Sequence, residues 1–213
     1  MKPITALIID DEPLCRKGIR LLVEQDADFQ ILGECADGRE AVRAIAAMKP
    51  DMIFLDIMHS FNGYHTCYYR TFICGKPNKY QTEAYEKVSE WLNAAINTIK
   101  PGVTTADVCK VWPTAEEFGY RNEDEAYLLQ YGHGIGLGLW ERPILSRRFC
   151  FDHPTVIKEG MVFAVECWCG AEDGSGAARV EEELVVTKNG CEIITNYPSD
   201  HLISCGLPGC EVY

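Results

Sequence analysis

A run of basic residues and a long apolar run are both missing from this sequence, and each absence removes a class of function. The formal net charge is −12, and nucleic acids are bound through clustered Lys and Arg, so no nucleic-acid partner is expected. No stretch reaches the roughly 18–20 apolar residues that cross a bilayer, so no membrane partner is expected either. The opening MKPITALIIDDEP has only a short apolar stretch before three acidic residues. A secretory core needs about 7–15 apolar residues, so the expected location is the cytoplasm. There is no C-x-x-C pair among the 11 cysteines, and Cys167 and Cys169 come closest to one. An odd, scattered set of this kind does not describe a disulfide framework, and reads as reduced, small hydrophobic side chains. Internal repeats and low-complexity linkers are also lacking.

What is present is an ordinary globular composition, 47% apolar and 24% charged, in 213 residues. That length accommodates one large domain or two small ones. The fold class expected is α/β, becoming α+β in the C-terminal part. TALIID at 5–10 and Phe29–Cys35 read as buried strands, and MIFLDI at 52–57 as a third. Amphipathic helices separate them: 12–25, with Leu14, Ile19, Leu21 and Leu22, and REAVRAIAAM, entered through Asp37-Gly38 and stopped by Lys49-Pro50. This β-α-β-α-β order predicts a right-handed parallel sheet. Beyond residue 75 a long helix is predicted over Gln81–Ile99. Another follows over 104–118, capped by Thr104 or Thr105 and interrupted at Pro113. From residue 131 the chain becomes β-rich.

Asp10, Asp11 and Asp56 each fall at the C-terminal end of a predicted parallel strand, where open α/β sheets form their sites. Converging carboxylates repel unless a hard cation such as Mg²⁺ lies between them, and one pointing outward can accept a phosphoryl group. IIDDEP, the ADG turn and PDMIFLDIM resemble the first half of a response-regulator receiver domain, over about residues 4–58. The resemblance implies Mg²⁺ on Asp10 and Asp11 and phosphorylation of Asp56. The later receiver strands, ending in Ser or Thr and in Lys-Pro, have no counterpart at the right distance, since Lys76-Pro77 follows Asp56 too closely.

In YGHGIGLGLWERP, His133 stands between glycines, where backbone can approach a ligand closely. Glu166 and Glu181 flank the loop AEDGSGA symmetrically about Asp173-Gly174, so an antiparallel hairpin sets them opposite each other. Two facing carboxylates and an imidazole make a site for a metal or a cationic substrate. The blander reading has the histidine bonded only to backbone and the glutamates on a solvated face.

GHGIG, the VE of FAVECW and RVEEE resemble, in that order, the pita-bread family of methionine aminopeptidase, prolidase, aminopeptidase P and creatinase. NGYHTCYYRTFICG, IKPGVTTADV and IKEGMVFAVE extend the resemblance over about residues 59–205. It implies that His133 is the metal-binding histidine, with Glu166 and Glu181 the two glutamate ligands. The family's aspartate pair, eleven residues apart, falls on Asp56 and on Cys67, and its second histidine falls on Trp140. A metal-dependent enzyme would hold Mn, Fe, Zn or Co on Asp56, His133, Glu166 and Glu181. A creatinase-like, metal-free member would use His133 as general base, with the glutamates holding a cationic substrate. In either version Arg70 anchors a substrate carboxylate and Trp140 lines the substrate site. Tyr64, Tyr68, Tyr69, Tyr131 and Trp168 join Trp140 as candidates for cation–π contact, or are ordinary core.

The expected architecture is therefore a partial receiver-like segment, 1–58, joined to a truncated pita-bread domain, 59–213. Two open sheet edges result, which cover each other or drive formation of a homodimer. The expected function is hydrolysis of a C–N bond in a small or peptide-like substrate, weak or absent in a truncated fold. The alternatives are a signalling module phosphorylated on Asp56, a metal-dependent lyase of the same fold, and a non-functional fusion.

Overall fold

The computed structural model describes residues 3–10, 13–50, 52–118, 120–125 and 130–205. Asp11 and the side chain of Asp56 lie outside the described residues. The chain begins with β1 (Ile4–Ile9), α1 (Pro13–Val23), β2 (Phe29–Cys35) and α2 (Gly38–Met48). β1 and β2 pair in parallel, from Ile4 opposite Phe29 to Ile9 opposite Cys35. The punctuation of α2 is as expected. The Asp37 side chain accepts the Glu40 N–H, and Lys49, left-handed at φ 49°, ends the helix before Pro50.

The next strand departs from the expected parallel sheet. β3 (Met52–Phe61) bonds to β4 (Tyr64–Cys74) in an antiparallel hairpin, from Met52 opposite Ile73 to Phe61 opposite Tyr64. In this structure β1 and β2 form a two-stranded sheet. The receiver-like third strand is thus corrected, and the reason lies just beyond it. Asn62 and Gly63 have φ of 52° and 83°, the two positive values a two-residue type I′ turn requires, and Asn-Gly supplies them at least cost. Closing a two-residue loop also loses less entropy than returning a strand through a helical crossover.

After the hairpin come α3 (Lys79–Thr98), α4 (Thr105–Cys109), β5 (Gly132–Gly134), β6 (Glu141–Leu145), α5 (Arg147–Cys150), β7 (Val162–Gly170), β8 (Ala177–Val186), β9 (Cys191–Ile193) and β10 (Ile203–Cys205). A capping box between Asn78 and Gln81 opens α3, and Ala84, Tyr85, Val88, Leu92, Ala95 and Ile96 form its buried face. The helix predicted over 104–118 is broken. α4 is capped by Thr104 and Asp107, and after Pro113 the chain makes only a 3₁₀ turn at Ala115–Phe118.

Five antiparallel strands in the order β6-β5-β7-β8-β9 form the main sheet, and α3 covers one face through Ala178, Val180, Leu184 and Val186. β4, flanked by β10 and β3 in its own sheet, runs beside the edge of β8 that β9 leaves uncovered. Side chains satisfy that edge: Thr71 Oγ1 donates to the Arg179 carbonyl and accepts from its N–H, at 2.8 and 2.9 Å. The buried residues of the large apolar cluster run from Ala84 to Val186, with Cys191 and Leu202 packed against them. Among the described residues no helix is long and apolar enough to cross a membrane.

Candidate metal and substrate site

His133 occupies the middle of the three-residue β5, paired with Ile144 on one side and Ala164 on the other. A Cβ at Gly132 would lie 2.5 Å from the Ala164 carbonyl oxygen, and one at Gly134 would lie 2.8 Å from that of Arg142. Only glycine fits on either side, which fixes the backbone that carries the imidazole. His133 Nδ1 lies 2.9 Å from the Gly134 carbonyl oxygen. That oxygen can only accept, so the proton is assigned to Nδ1 and Nε2 is left as the basic nitrogen. Nε2 faces Glu181 Oε1 at 3.8 Å.

Glu166 and Glu181 are directly opposite in the β7–β8 ladder, as the symmetry of the loop predicts. Glu181 is completely buried. The Cys67 thiol, on β4, donates to Glu181 Oε2 at 3.4 Å. Cys67, His133 and Glu181, all buried, each offer a ligand atom within 4.8 Å of the others'. Among the described residues this is the only such group of three, so none forms around Asp10. Asp56 pairs with Tyr69, which puts position 56 one diagonal step from Cys67 on the hairpin.

Glu166 is engaged differently. Its Oε2 accepts from Arg179 Nε at 2.9 Å and also from Arg179 Nη2. The guanidinium lies 3.8 Å from the Tyr69 ring centroid and 5.5 Å from that of Trp168. Burial lowers the Arg179 pKa, but Glu166 and Tyr69 more than offset this, so the group is held above its ordinary value. A cleft of about 670 Å³ opens here, lined by Tyr69, Gln130, Trp140, Glu166, Trp168 and Arg179. Trp140 is 72% exposed and meets the His133 ring edge-on at 6.1 Å.

Arg70, the expected substrate anchor, is a correction: it is 1% exposed and its donors all serve the protein. Nη2 pairs with Glu182 at 3.0 Å and also reaches the Tyr197 carbonyl. Nη1 donates to the carbonyls of Tyr69 and Glu181, and Nε to that of Pro198. Its guanidinium straps β4, β8 and the C-terminal segment together. The aromatic candidates divide. Tyr69, Trp140 and Trp168 line the cleft, whereas Tyr131 is stacked in the core against Trp112 at 4.7 Å.

Two residues at the site escaped the sequence reading. Arg179 precedes Glu181 by two positions, so strand alternation puts both on one face. Glu183 follows Glu181 by two and lies in the row His133, Ala164, Glu183 across three strands. Its carboxyl is 6% exposed, and burial pushes its pKa up to about 7. The alternation in ARVEEEL carried both signals.

Residues 33–188 match the family model of metallopeptidase family M24, and that range runs across the boundary expected at 58. The chain is 32% identical over 148 residues to the Xaa-Pro dipeptidase of Pyrococcus furiosus, covering 69% of this chain and 40% of that protein. The solved prolidase of the same organism aligns with a TM-score of 0.57 and 30% identity, over 69% of this chain and 42% of that one. A separate match joins 54 residues, 48% identical, to the transcriptional regulatory protein BtsR of Salmonella typhi, covering 25% of this chain and 23% of that protein. The chain spans about two fifths of the length of the peptidase relatives it matches. By the reach of the family model and the identity to these peptidases, the chain belongs to metallopeptidase family M24.

Proposed function

We propose that the chain hydrolyses the C–N bond of a small peptide-like substrate of the dipeptide class, using a divalent ion held by Cys67, His133 and Glu181. One observation carries this reading: three buried ligand atoms within 4.8 Å of one another, beside a cleft with tryptophan walls. Thiolate, imidazole and carboxylate are all established donors to a divalent transition metal, so the residues fit such a group. An ion there supplies Lewis acidity toward the scissile carbonyl.

The chain's own residues do the rest. The Gly134 carbonyl holds the His133 proton on Nδ1 and keeps the Nε2 lone pair directed at Glu181. Arg179 pairs with Glu166 and holds its side chain at the cleft wall. Trp140, Trp168 and Tyr69 present apolar faces that exclude water and suit a flat or cyclic side chain. The names of the relatives, Xaa-Pro dipeptidase among them, support this substrate class.

Release of free amino acid from Xaa-Pro dipeptides tests the proposal. Hydrolysis lost on chelation, restored by divalent metal and absent in His133→Ala is the expected result. Hydrolysis that survives chelation would favour the metal-free route with His133 as general base. A folded, metal-loaded chain without hydrolysis would remove the proposal.

A second reading, phosphorylation of Asp56 in a receiver-like segment 1–58, is favoured by the BtsR match, whose 54 residues approximate the length of 4–58. Against it stands the pairing of β3 with β4. Mg²⁺-dependent labelling by a small phosphodonor, abolished in Asp56→Asn, would support it, and no labelling would exclude it.

A further inference from the structure

We propose that Cys67 makes this a single-ion site selective for a borderline-soft metal, Zn²⁺ above all, and not a pair of hard ions. The inference rests on the metal-dependent reading above and specifies which ion, how many, and through which atom.

The geometry supports it first. For Zn–S of about 2.3 Å and Zn–N or Zn–O of about 2.0–2.1 Å, tetrahedral coordination sets sulfur to oxygen at about 3.5 Å and nitrogen to oxygen at about 3.3 Å. Cys67 Sγ lies 3.4 Å from Glu181 Oε2, and His133 Nε2 lies 3.8 Å from Glu181 Oε1. The first separation matches an edge of such a tetrahedron, the second ends on the other oxygen of the same carboxylate, and one ligand atom from each of the three residues lies within 4.8 Å of the others'. Among the described residues three protein ligands converge, the number that leaves a fourth position open in hydrolytic zinc sites.

The donor chemistry agrees. A thiolate is a soft ligand that favours Zn²⁺ over the oxygen-seeking Mg²⁺ and Mn²⁺. Residues 65–69 run along β4 as a regular strand that faces β3 and β8, which holds Cys67 against Glu181.

Glu166 limits the number of ions. Its Oε2 already accepts two N–H donors from one guanidinium. A second divalent ion recruiting that carboxylate would have to lie beside the Arg179 cation or displace it, against charge repulsion and the loss of two charge-assisted bonds. The Tyr69 ring, 3.8 Å from the guanidinium carbon, holds Arg179 in place from the other side.

The test is a Co²⁺ titration of the whole 213-residue chain in reducing buffer, followed by absorption. Metal content is measured after Zn²⁺ loading. The inference predicts one ion per chain, a near-ultraviolet sulfur-to-cobalt charge-transfer band, and displacement of Co²⁺ by Zn²⁺. The band is lost in Cys67→Ser and kept in Cys169→Ser, with circular dichroism confirming that both variants fold. Cys67→Asp binds Co²⁺ without the band and gains affinity for Mn²⁺ relative to Zn²⁺. Two ions per chain, a band that survives in Cys67→Ser, or a folded wild-type chain that binds no Co²⁺ would each overturn it. Metal-dependent hydrolysis without the band would sink this inference and leave the proposed function standing. Neither band nor hydrolysis would end both.

Discussion

Helices α1 and α3 are both amphipathic, yet only one covers its apolar face. α3 buries a stripe from Ala84 to Ile96 against β7 and β8. α1 leaves Leu14, Leu21 and Leu22 exposed, Leu22 at 71%, and α2 buries only Ala41. The difference lies in what each helix can pack against. α3 has a five-stranded sheet beneath it, whereas α1 and α2 have only the two strands β1 and β2, which β3 does not join. Amphipathicity reports that a helix has an apolar face, and the neighbouring sheet decides whether that face stabilises anything. The candidate site is built where the covering is complete.

The strongest way to break this contrast is through Arg70. Replacing it with Ala leaves Glu182 buried without its cation and takes a donor from four carbonyls. About 3–5 kcal/mol should be lost in denaturant unfolding. A loss under about 1 kcal/mol would mean that the strap joining β4, β8 and the C-terminal segment contributes little.

The paired substitutions Leu92→Ala and Leu22→Ala make the contrast quantitative. Leu92 is buried in the main core and Leu22 is exposed. The first should cost about 2–5 kcal/mol and the second less than about 0.5 kcal/mol, read as midpoint shifts at equal m-value. Equal costs would show that the face of α1 is covered after all.

A smaller effect depends on pH. Burial raises the Glu183 carboxyl from its ordinary 4.5 to about 7, so the folded chain holds this proton more tightly than the unfolded chain does. The resulting stability is fully present below about pH 4.5 and is lost as pH rises through about 7. Glu183→Gln removes the charge, so it should match the wild type near pH 4 and exceed it by up to about 3 kcal/mol at pH 8. A variant that is less stable at pH 8 would mean that the carboxylate has a cationic partner.

Much of the site could be read before folding, and the failures have physical causes. Facing Glu166 and Glu181 followed from a symmetric loop, because in a hairpin the loop sets the register, here closing at Gly170 opposite Ala177. Asp37-Gly38 marks the start of α2, because a short polar side chain there satisfies an orphan N–H, whereas the cap at Asn78 starts α3 at Lys79, ahead of the expected Gln81. MIFLDI was misassigned because a short apolar run does not say whether its partner is parallel or antiparallel, and Asn62-Gly63, which did say so, lay just beyond it. Arg70 was misplaced because a guanidinium in sequence shows its charge but not its burial. Only the folded chain shows the Tyr197 and Pro198 carbonyls converging on it. Cys67 was recognised as a departure from the family's aspartate. Its place beside Glu181 depended on β4 running along β8, a long-range contact that no local pattern encodes.

The central claim is that Cys67, His133 and Glu181 bind a divalent ion, and it is tested most directly by thermal unfolding of the whole chain with increasing Zn²⁺. An ion that binds only the folded state stabilises it by about 2.7 kcal/mol at 100 times its dissociation constant. The account predicts a melting temperature that climbs with Zn²⁺ in the wild type and stays flat in His133→Ala. A melting temperature that ignores Zn²⁺ in the wild type, or climbs equally in both, would contradict it.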